Sequence, residues 1–315
     1  MVPIFIFSLP RSGSTLLQRL INKSDQIATS PESWLFITTL SCRSELINSY
    51  SVYSSVHAKN AINDFIKNYV GESEFNSKCK NFFNDVLQVA AKDKSFFIEK
   101  TPRNLFVAKD IMSIYGNGAK YLCLVRNPAA IACSMISTWG KGRWNIYAFE
   151  QDFMLGIDCM IKVMSKDACL SIKYEDLLSF EDQETERVSR YLGIGLSELK
   201  DKKIEVIEGR MGDPVGQYKY SKIEKTRSSE WKKTINTFTK VAMLKSLIRR
   251  IGNDKLEKLG YSYAEVLESI KIHGKYSARD EVFDASLVVY GVLYKIFQPF
   301  ILKEVIVNKL RFALR

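Results

Sequence analysis

The chain has 315 residues, of which 46% are hydrophobic and 26% charged, and its formal net charge is +11. This balance is typical of a globular protein and excludes an intrinsically disordered chain. The length accommodates one large α/β domain or two ordinary ones. The surplus of positive charge favours anionic ligands, nucleic acid or an anionic membrane surface. Because no basic block with interleaved aromatic residues stands out, we expect no nucleic-acid partner.

Cysteine and histidine usage argues against a metal site. The six cysteines form no CxxC pair, and only two histidines occur, His57 and His273. Cysteines without such spacing favour reduced thiols in a cytoplasmic protein. The N-terminal apolar run is too short for the core of a signal peptide and leads into a polar turn. We therefore expect a cytoplasmic protein that holds no metal.

The first element is an apolar run, Pro3 to Phe7, that predicts a buried strand. The turn and helix start behind it consist of Pro10, Arg11, Ser12, Gly13, Ser14 and Thr15. Backbone N–H groups at such a helix start are free to bind an anion, and Arg11 adds a positive charge. A Walker A loop carries lysine where this chain has Ser14. The turn therefore predicts a phosphate-like ligand without the lysine and Mg²⁺ chemistry of NTP hydrolysis.

Two charged side chains follow in the next part of the chain. Glu32 lies in a segment, residues 25–34, that is predicted to be a loop, where a solvated or helix-capping carboxylate is the alternative to a catalytic one. Residues 44–92 are predicted to be mainly helical. Lys100 stands just past a short predicted strand, Ser95 to Ile98, and the alternative for it is an ordinary surface lysine.

A second strand–helix unit repeats the arrangement of the first. Lys120 to Val125 predicts a strand, and Pro128 opens an apolar helix that contains Ser134. Arg126 stands between them, at the end of the strand. An arginine and a serine hydroxyl in this arrangement are suited to holding a second phosphate.

A fourth predicted strand, Leu170 to Lys173, is followed by Tyr174. Strands that alternate with helices predict right-handed crossovers and a mainly parallel sheet. Ligands of such sheets bind beyond the carboxyl ends of the strands, so Arg11, Lys100, Arg126 and Tyr174 are expected to meet at one edge. The predicted fold is α/β: a P-loop-like three-layer sandwich with a central, mainly parallel sheet flanked by helices.

The remaining chain divides into a basic segment and a tail. Residues 208–220 read as a loop, and the basic segment after it contains Ser221, Lys232 and Lys233. This segment either closes over an anionic ligand or is a solvated loop entering a helix. We expect one domain over residues 1–265 and an apolar, basic, helical C-terminal extension over residues 266–315. The extension is interpreted as a helix docked on the domain, as a membrane-surface attachment or as an oligomer contact.

The turn and the second unit together resemble the sulfotransferases that use 3′-phosphoadenosine 5′-phosphosulfate (PAPS). Leu9–Leu17 is similar to their 5′-phosphosulfate loop, and Leu124–Pro128 with Ser134 is similar to their 3′-phosphate motif. The resemblance covers residues 3–262, and the layout is most similar to the protein-tyrosine sulfotransferase branch and its bacterial relatives. It implies PAPS as co-substrate and no metal.

The resemblance also implies roles for single residues. It makes Glu32 the general base, and it assigns Arg11, Lys100 and Ser221 to the stabilisation of the transferring group. The cofactor contacts that it implies are made by Arg11, Ser12, Gly13, Ser14, Thr15, Arg126, Ser134, Tyr174, Ser221 and either Lys232 or Lys233. One position departs from the tyrosine enzymes, because Thr138 stands near the place of a further arginine. This departure argues against a peptide tyrosine as acceptor.

The activity that follows is sulfuryl transfer from PAPS to a hydroxyl group of an acceptor. A glycan, a lipid-linked glycan or another alcohol fits this chemistry, and the apolar, basic tail favours a lipid-linked or surface-polysaccharide acceptor. Two other functions stay open at this point. One is a P-loop kinase or NTPase, and the other is a non-catalytic nucleotide-binding protein that contacts the inner face of the membrane through its tail.

Overall fold

The computed structural model describes residues 1–41, 43, 55–200 and 228–297. Four sequence-based predictions lie wholly or partly outside these residues: the helical character of residues 44–54, the role of Ser221, the loop at 208–220 and the end of the tail beyond Phe297.

The centre of the molecule is a single parallel sheet. Its strands follow one another in the spatial order β2-β3-β1-β4-β5, and each neighbouring pair is parallel. The strands are β1 (Val2–Ser8), β2 (Ile27–Thr29), β3 (Phe96–Glu99), β4 (Lys120–Val125) and β5 (Cys169–Lys173). The predicted parallel sheet flanked by helices is confirmed.

One strand corrects the prediction for residues 25–34, which were expected to form a loop. Ile27–Thr29 forms β2, which pairs with β3 from Ile27 opposite Phe96 to Thr29 opposite Ile98. Only Ile27 of the three residues is buried. Such a short edge strand shows neither a long apolar run nor an alternation. Residues 27–29 form a strand because they hydrogen-bond to β3, and the sequence around them does not reveal this pairing.

Helices cover both faces of the sheet. They are α1 (Ser14–Ile21), α2 (Leu35–Leu40), α3 (Ser55–Phe65), α4 (Glu72–Ala91), α5 (Ala108–Tyr115), α6 (Pro128–Thr138), α7 (Glu150–Met164), α8 (Tyr174–Ser179), α9 (Glu181–Leu192), α10 (Leu196–Lys200), α11 (Phe238–Ile251), α12 (Asn253–Lys258), α13 (Tyr263–Ser269) and α14 (Ala278–Phe297). A π-helical turn forms at Ile66–Val70, and 3₁₀ turns form at Pro102–Val107, Gly116–Gly118, Ile146–Ala148 and Glu230–Thr234.

The alternation of side chains along β1 separates two hydrophobic cores. Phe5 and Phe7 point into the larger core, whereas Ile4 and Ile6 point into the smaller core on the other face. Both faces of the strand are therefore covered, as expected for the central strand of a parallel sheet. This explains why β1 reads as a continuous apolar run in the sequence.

The C-terminal extension begins with helices that pack on the domain. The predicted boundary between residues 265 and 266 falls inside α13, whose Val266 joins the larger core. Further along, α14 docks through Asp284, which is fully buried and accepts hydrogen bonds from the Thr237 hydroxyl at 2.8 Å and from the Trp144 backbone N–H at 2.8 Å. The Asp284 carboxylate also lies 3.3 Å from the ammonium group of buried Lys240. Within the described ranges, no helix is long and apolar enough to cross a bilayer.

Candidate active site

The turn between β1 and α1 has an unusual backbone. Arg11 has a φ of 67° and Gly13 a φ of 93°, both in the left-handed region. A non-glycine residue in this region is uncommon, and such residues concentrate at functional sites. The turn ends at Ser14, the first residue of α1. The N-cap position is Gly13, which has no side chain to cap the helix. The first N–H groups of α1 therefore point into the space in front of the turn and are available to an anion.

Glycine is required at position 13 for a second reason. A Cβ atom placed there would lie 2.4 Å from the ring of Tyr174, the first residue of α8. Tyr174 itself is buried, so its ring has little room to move away. The Tyr174 ring therefore packs directly against the backbone of Gly13, and this contact leaves no room for a side chain at position 13.

We expect Gly13→Ala to weaken nucleotide binding by at least about tenfold, since the left-handed backbone alone costs an alanine ~1–2 kcal/mol. The clash with Tyr174 adds to this cost. Isothermal titration with 3′-phosphoadenosine 5′-phosphate (PAP) measures the effect. Gly71→Ala is the matched control, because Gly71 also has a positive φ but has open space around it. Equal affinity of the Gly13→Ala variant and the wild type would contradict the prediction.

Arg126 connects the turn to the second strand–helix unit. Its Nη1 donates a hydrogen bond to the carbonyl oxygen of Arg11 at 2.8 Å, and its guanidinium lies 4.4 Å from the centre of the Tyr174 ring. Its Nε is buried and has no hydrogen-bond partner among the residues that the structure describes. A buried charged donor without a partner is costly in a protein. It is therefore a position where an anion would be stabilised.

Arg11 reaches across to the helix that carries Ser134. Its Nε donates to the Ser134 hydroxyl at 3.3 Å, and its Nη2 donates to the Thr138 hydroxyl at 3.1 Å. The two anion sites expected from the sequence thus adjoin each other. Thr138, noted in the sequence only as a departure, receives a hydrogen bond from the arginine of the turn.

Glu32 and Lys100 form an ion pair at the same edge of the sheet. Their Oε1 and Nζ atoms are 3.1 Å apart, and the Lys100 side chain is 2% exposed while that of Glu32 is 17% exposed. Gln18 of α1 fixes the loop before Glu32, because its amide donates to the Thr29 hydroxyl at 2.7 Å and to the Ser30 carbonyl at 2.8 Å. The carboxylate is therefore held at the cleft and remains accessible.

A buried carboxylate that the sequence analysis missed supports this pair. Glu99 accepts hydrogen bonds from the side chains of Ser33 at 2.8 Å, Thr101 at 2.7 Å and Asn104 at 3.0 Å. Burial raises the pKa of Glu99 above its ordinary value, although the three hydrogen bonds act in the opposite direction. Because Ser33 follows Glu32 and Thr101 follows Lys100, Glu99 ties the two chain segments of the ion pair together. The sequence does place Glu99 at the end of a buried apolar strand, and this position was the signal that could have identified it.

Several of the residues described above line one cleft. Its walls are formed by Pro10, Arg11, Gly13, Ser14, Thr15, Glu32, Trp34, Pro102, Arg103, Arg126, Ser134 and Trp139. Trp34, Arg103 and Trp139 were not expected from the sequence. Arg103 is held by buried Asp152, with 3.0 Å between Nη2 and Oδ2.

Other predicted site residues lie behind or beside the cleft. Ser12 is fully buried under the turn, and Lys100 reaches the site through its contact with Glu32. Lys232 and Lys233 lie in the 3₁₀ turn at Glu230–Thr234, which packs on α6, and they are not part of the walls of the cleft. Within the described residues, no group of three His, Cys, Asp or Glu side chains is arranged to hold a metal ion.

Known proteins match the chain along most of its length. The model of the sulfotransferase family matches residues 3–198. The nodulation protein NoeE of Sinorhizobium fredii (strain NBRC 101917 / NGR234) is 24% identical over 283 residues, which is 82% of this chain and 65% of NoeE. Protein-tyrosine sulfotransferase A of Caenorhabditis elegans is 22% identical over 202 residues, 61% of this chain and 50% of that protein. The chain thus spans less than two thirds of the length of either relative.

A solved structure agrees with the observed fold. The sulfotransferase domain from the curacin biosynthetic pathway superposes with a TM-score of 0.50 at 20% sequence identity. The superposition covers 82% of this chain and 97% of that domain.

Proposed function

The chain belongs to the sulfotransferase family, and we propose that it transfers the sulfuryl group of PAPS to a hydroxyl group of an acceptor. The observation that carries the proposal is the position of Glu32 and Lys100. Glu32 lines the same cleft as the two adjoining arginines, Arg11 and Arg126, and buried Lys100 pairs with Glu32 from behind the wall. A proton acceptor beside an anion-binding site is the arrangement that sulfuryl transfer to a hydroxyl requires.

The donor nucleotide would be held at both of its anionic ends. We assign the 5′-phosphosulfate to the turn of Arg11 and the N–H groups of Ser14 and Thr15 at the start of α1. We assign the 3′-phosphate to Arg126 and Ser134. The buried, unpartnered Nε of Arg126 supports this fit within the part of the chain described. We further propose that Tyr174 lies near the adenosine, that Ser221 reaches the phosphosulfate end, and that Lys232 or Lys233 contacts the 3′-phosphate.

In the reaction, a bond forms between the acceptor oxygen and sulfur while the bond from sulfur to the 5′-phosphate oxygen breaks. Glu32 takes the proton of the acceptor hydroxyl, and the electron pair of the broken bond leaves with the nucleotide. The leaving oxygen gains negative charge as this happens. Arg11, Lys100 and the start of α1 stabilise that charge more in the transition state than in the ground state.

The test is incubation of the full chain with sulfur-labelled PAPS and fractionated glycans, lipids and peptides. We expect label in a hydroxyl-bearing fraction and release of PAP without added metal. Turnover of Mg²⁺–ATP in place of PAPS would instead support a P-loop kinase or NTPase, which the serine at position 14 disfavours. Binding of PAPS with no transfer to any fraction would support a non-catalytic nucleotide-binding protein.

We expect Arg126→Ala to weaken PAP binding by about 10–150-fold, because the loss of a charge-assisted hydrogen bond costs ~1.5–3 kcal/mol. Titration with PAP and with AMP, which lacks the 3′-phosphate, isolates the effect. The wild type should prefer PAP, and the variant should bind both nucleotides alike. Arg190→Ala is the control, because Arg190 is 76% exposed on α9. A variant that keeps its preference for PAP would remove Arg126 from this role.

For the acceptor we propose a glycan or lipid-linked glycan, and for the protein a cytoplasmic location with peripheral contact to the inner face of the membrane. Free thiols support the cytoplasm, since the described cysteines Cys79, Cys123, Cys133, Cys159 and Cys169 form no disulfide with one another.

A further inference from the structure

The C-terminal helix α14 turns an apolar face to solvent. Val282, Val289, Val292 and Ile296 lie on one side of it, and each is between 58% and 72% exposed. Their spacing of three, four and seven residues is that of one helical face. We call these four residues the outer stripe. A row of exposed apolar side chains on one face marks an interaction site more often than scattered ones do.

The opposite face of α14 is fixed to the domain. Asp284 is buried against Lys240, and Gly291 lies so close to Tyr147 that a Cβ atom would come within 2.8 Å of the tyrosine Cβ. A rotation of the helix that buried the outer stripe would break the pairing of Asp284, which is strongly unfavourable for a buried charge. The outer stripe is therefore a stable feature of the surface.

A groove borders the outer stripe and adds positive charge to it. Val292 of the stripe lines this groove together with Tyr147, Met243 and Leu247. At one end, the carboxylate of Glu150 pairs with both Arg250 and Lys295. Each of the two cations is about half exposed, whereas Glu150 is mostly buried between them. The end of the groove therefore presents a net positive charge to solvent.

The sequence that follows α14 has the same character. Residues 298–315 carry four basic side chains, Lys303, Lys309, Arg311 and Arg315, against the single acid Glu304. Ten of the eighteen are apolar: Phe300, Ile301, Leu302, Val305, Ile306, Val307, Leu310, Phe312, Ala313 and Leu314. Apolar residues next to cations are the chemistry that binds at an anionic lipid surface. A second copy of the chain is a poorer occupant, because it would bring its own +11 charge to the contact.

We propose that the outer stripe and the cationic groove end rest on the surface of an anionic membrane. The apolar side chains enter the interface between headgroups and acyl chains, while Arg250 and Lys295 face the lipid phosphates. The inference rests on the peripheral membrane contact proposed above and names the surface that makes it. It does not depend on sulfuryl transfer, so a failure of the vesicle experiment leaves the transfer activity untouched.

The test is flotation of the full chain with phosphatidylcholine vesicles that contain or lack phosphatidylglycerol. We expect binding to the anionic vesicles only, and weaker binding as salt is raised. The double substitution Val292→Asp with Ile296→Asp should lower the partitioning of the protein onto anionic vesicles by at least about tenfold. The two apolar side chains that would move from water into the membrane interface are then missing. Val89→Asp is the control, since Val89 is also an exposed valine but lies on α4, away from the outer stripe.

Folding is checked by the melting temperature and by PAP binding, which the double substitution should leave unchanged because both residues are exposed. Absence of the wild type from anionic vesicles at low salt would overturn the proposal. Equal binding to neutral vesicles would overturn it as well. A concentration-dependent dimer in light scattering, abolished by the double substitution, would assign the face to a second copy of the chain instead.

Discussion

Replacement of Glu32 by glutamine is expected to lower kcat by about 10²–10⁴-fold, the usual contribution of a general base, while PAP binding is unchanged. Glutamine has nearly the same shape as glutamate. Its amide oxygen is able to accept the hydrogen bond that Lys100 donates at 3.1 Å. What the variant lacks is a group that takes the proton of the acceptor hydroxyl, so its loss should appear in turnover rather than in nucleotide affinity.

The measurement is a rate assay at saturating PAPS and acceptor, together with titration of PAP. Glu74→Gln is the matched control, because Glu74 also pairs with a lysine at 3.1 Å but does so on the exposed surface of α4. The control should retain the activity of the wild type. A Glu32→Gln variant with a kcat within about twofold of the wild type would remove Glu32 from the role of base.

The second large effect concerns stability. We expect Asp284→Ala to lower the free energy of unfolding by about 3–5 kcal/mol, because Lys240 would remain as a buried charge without its counterion. The change also removes the acceptor of the Trp144 N–H and of the Thr237 hydroxyl. Urea unfolding followed by circular dichroism measures the loss.

Two further variants make the stability test specific. Asp254→Ala removes an exposed pair with Lys258 and should cost only ~0–1 kcal/mol. Lys240→Met in the Asp284→Ala background should recover part of the loss, because no unpaired charge is then buried. A loss below about 1 kcal/mol for Asp284→Ala alone would show that the pair does not anchor α14.

Most of the sheet was predictable because its central strands are buried on both faces. β1 and β4 therefore read as apolar runs that periodicity alone identifies. β2 was not predictable, because its three residues are a strand only through their pairing with β3. A contact of this kind joins residues far apart in the chain and leaves little trace in either segment.

The same distinction applies to the cleft. Arg11, Lys100 and Arg126 each follow a strand, and parallel strands bring their carboxyl ends to one edge, so their proximity follows from topology. The hydrogen bonds of Glu99 and of Thr138 depend on the angle at which two loops and a helix meet. Side-chain packing sets that angle, and no pattern within the chain encodes it locally.

Two contacts hold the turn of Arg11 and Gly13 in place. The ring of Tyr174 packs against Gly13, and Arg126 donates a hydrogen bond to the carbonyl oxygen of Arg11. A pocket wall that is already rigid loses little conformational freedom when a ligand arrives, which favours affinity. The same rigidity prevents the wall from widening for a bulkier group. If this end of the cleft binds the proposed nucleotide, discrimination there should therefore depend on the size and shape of the ligand.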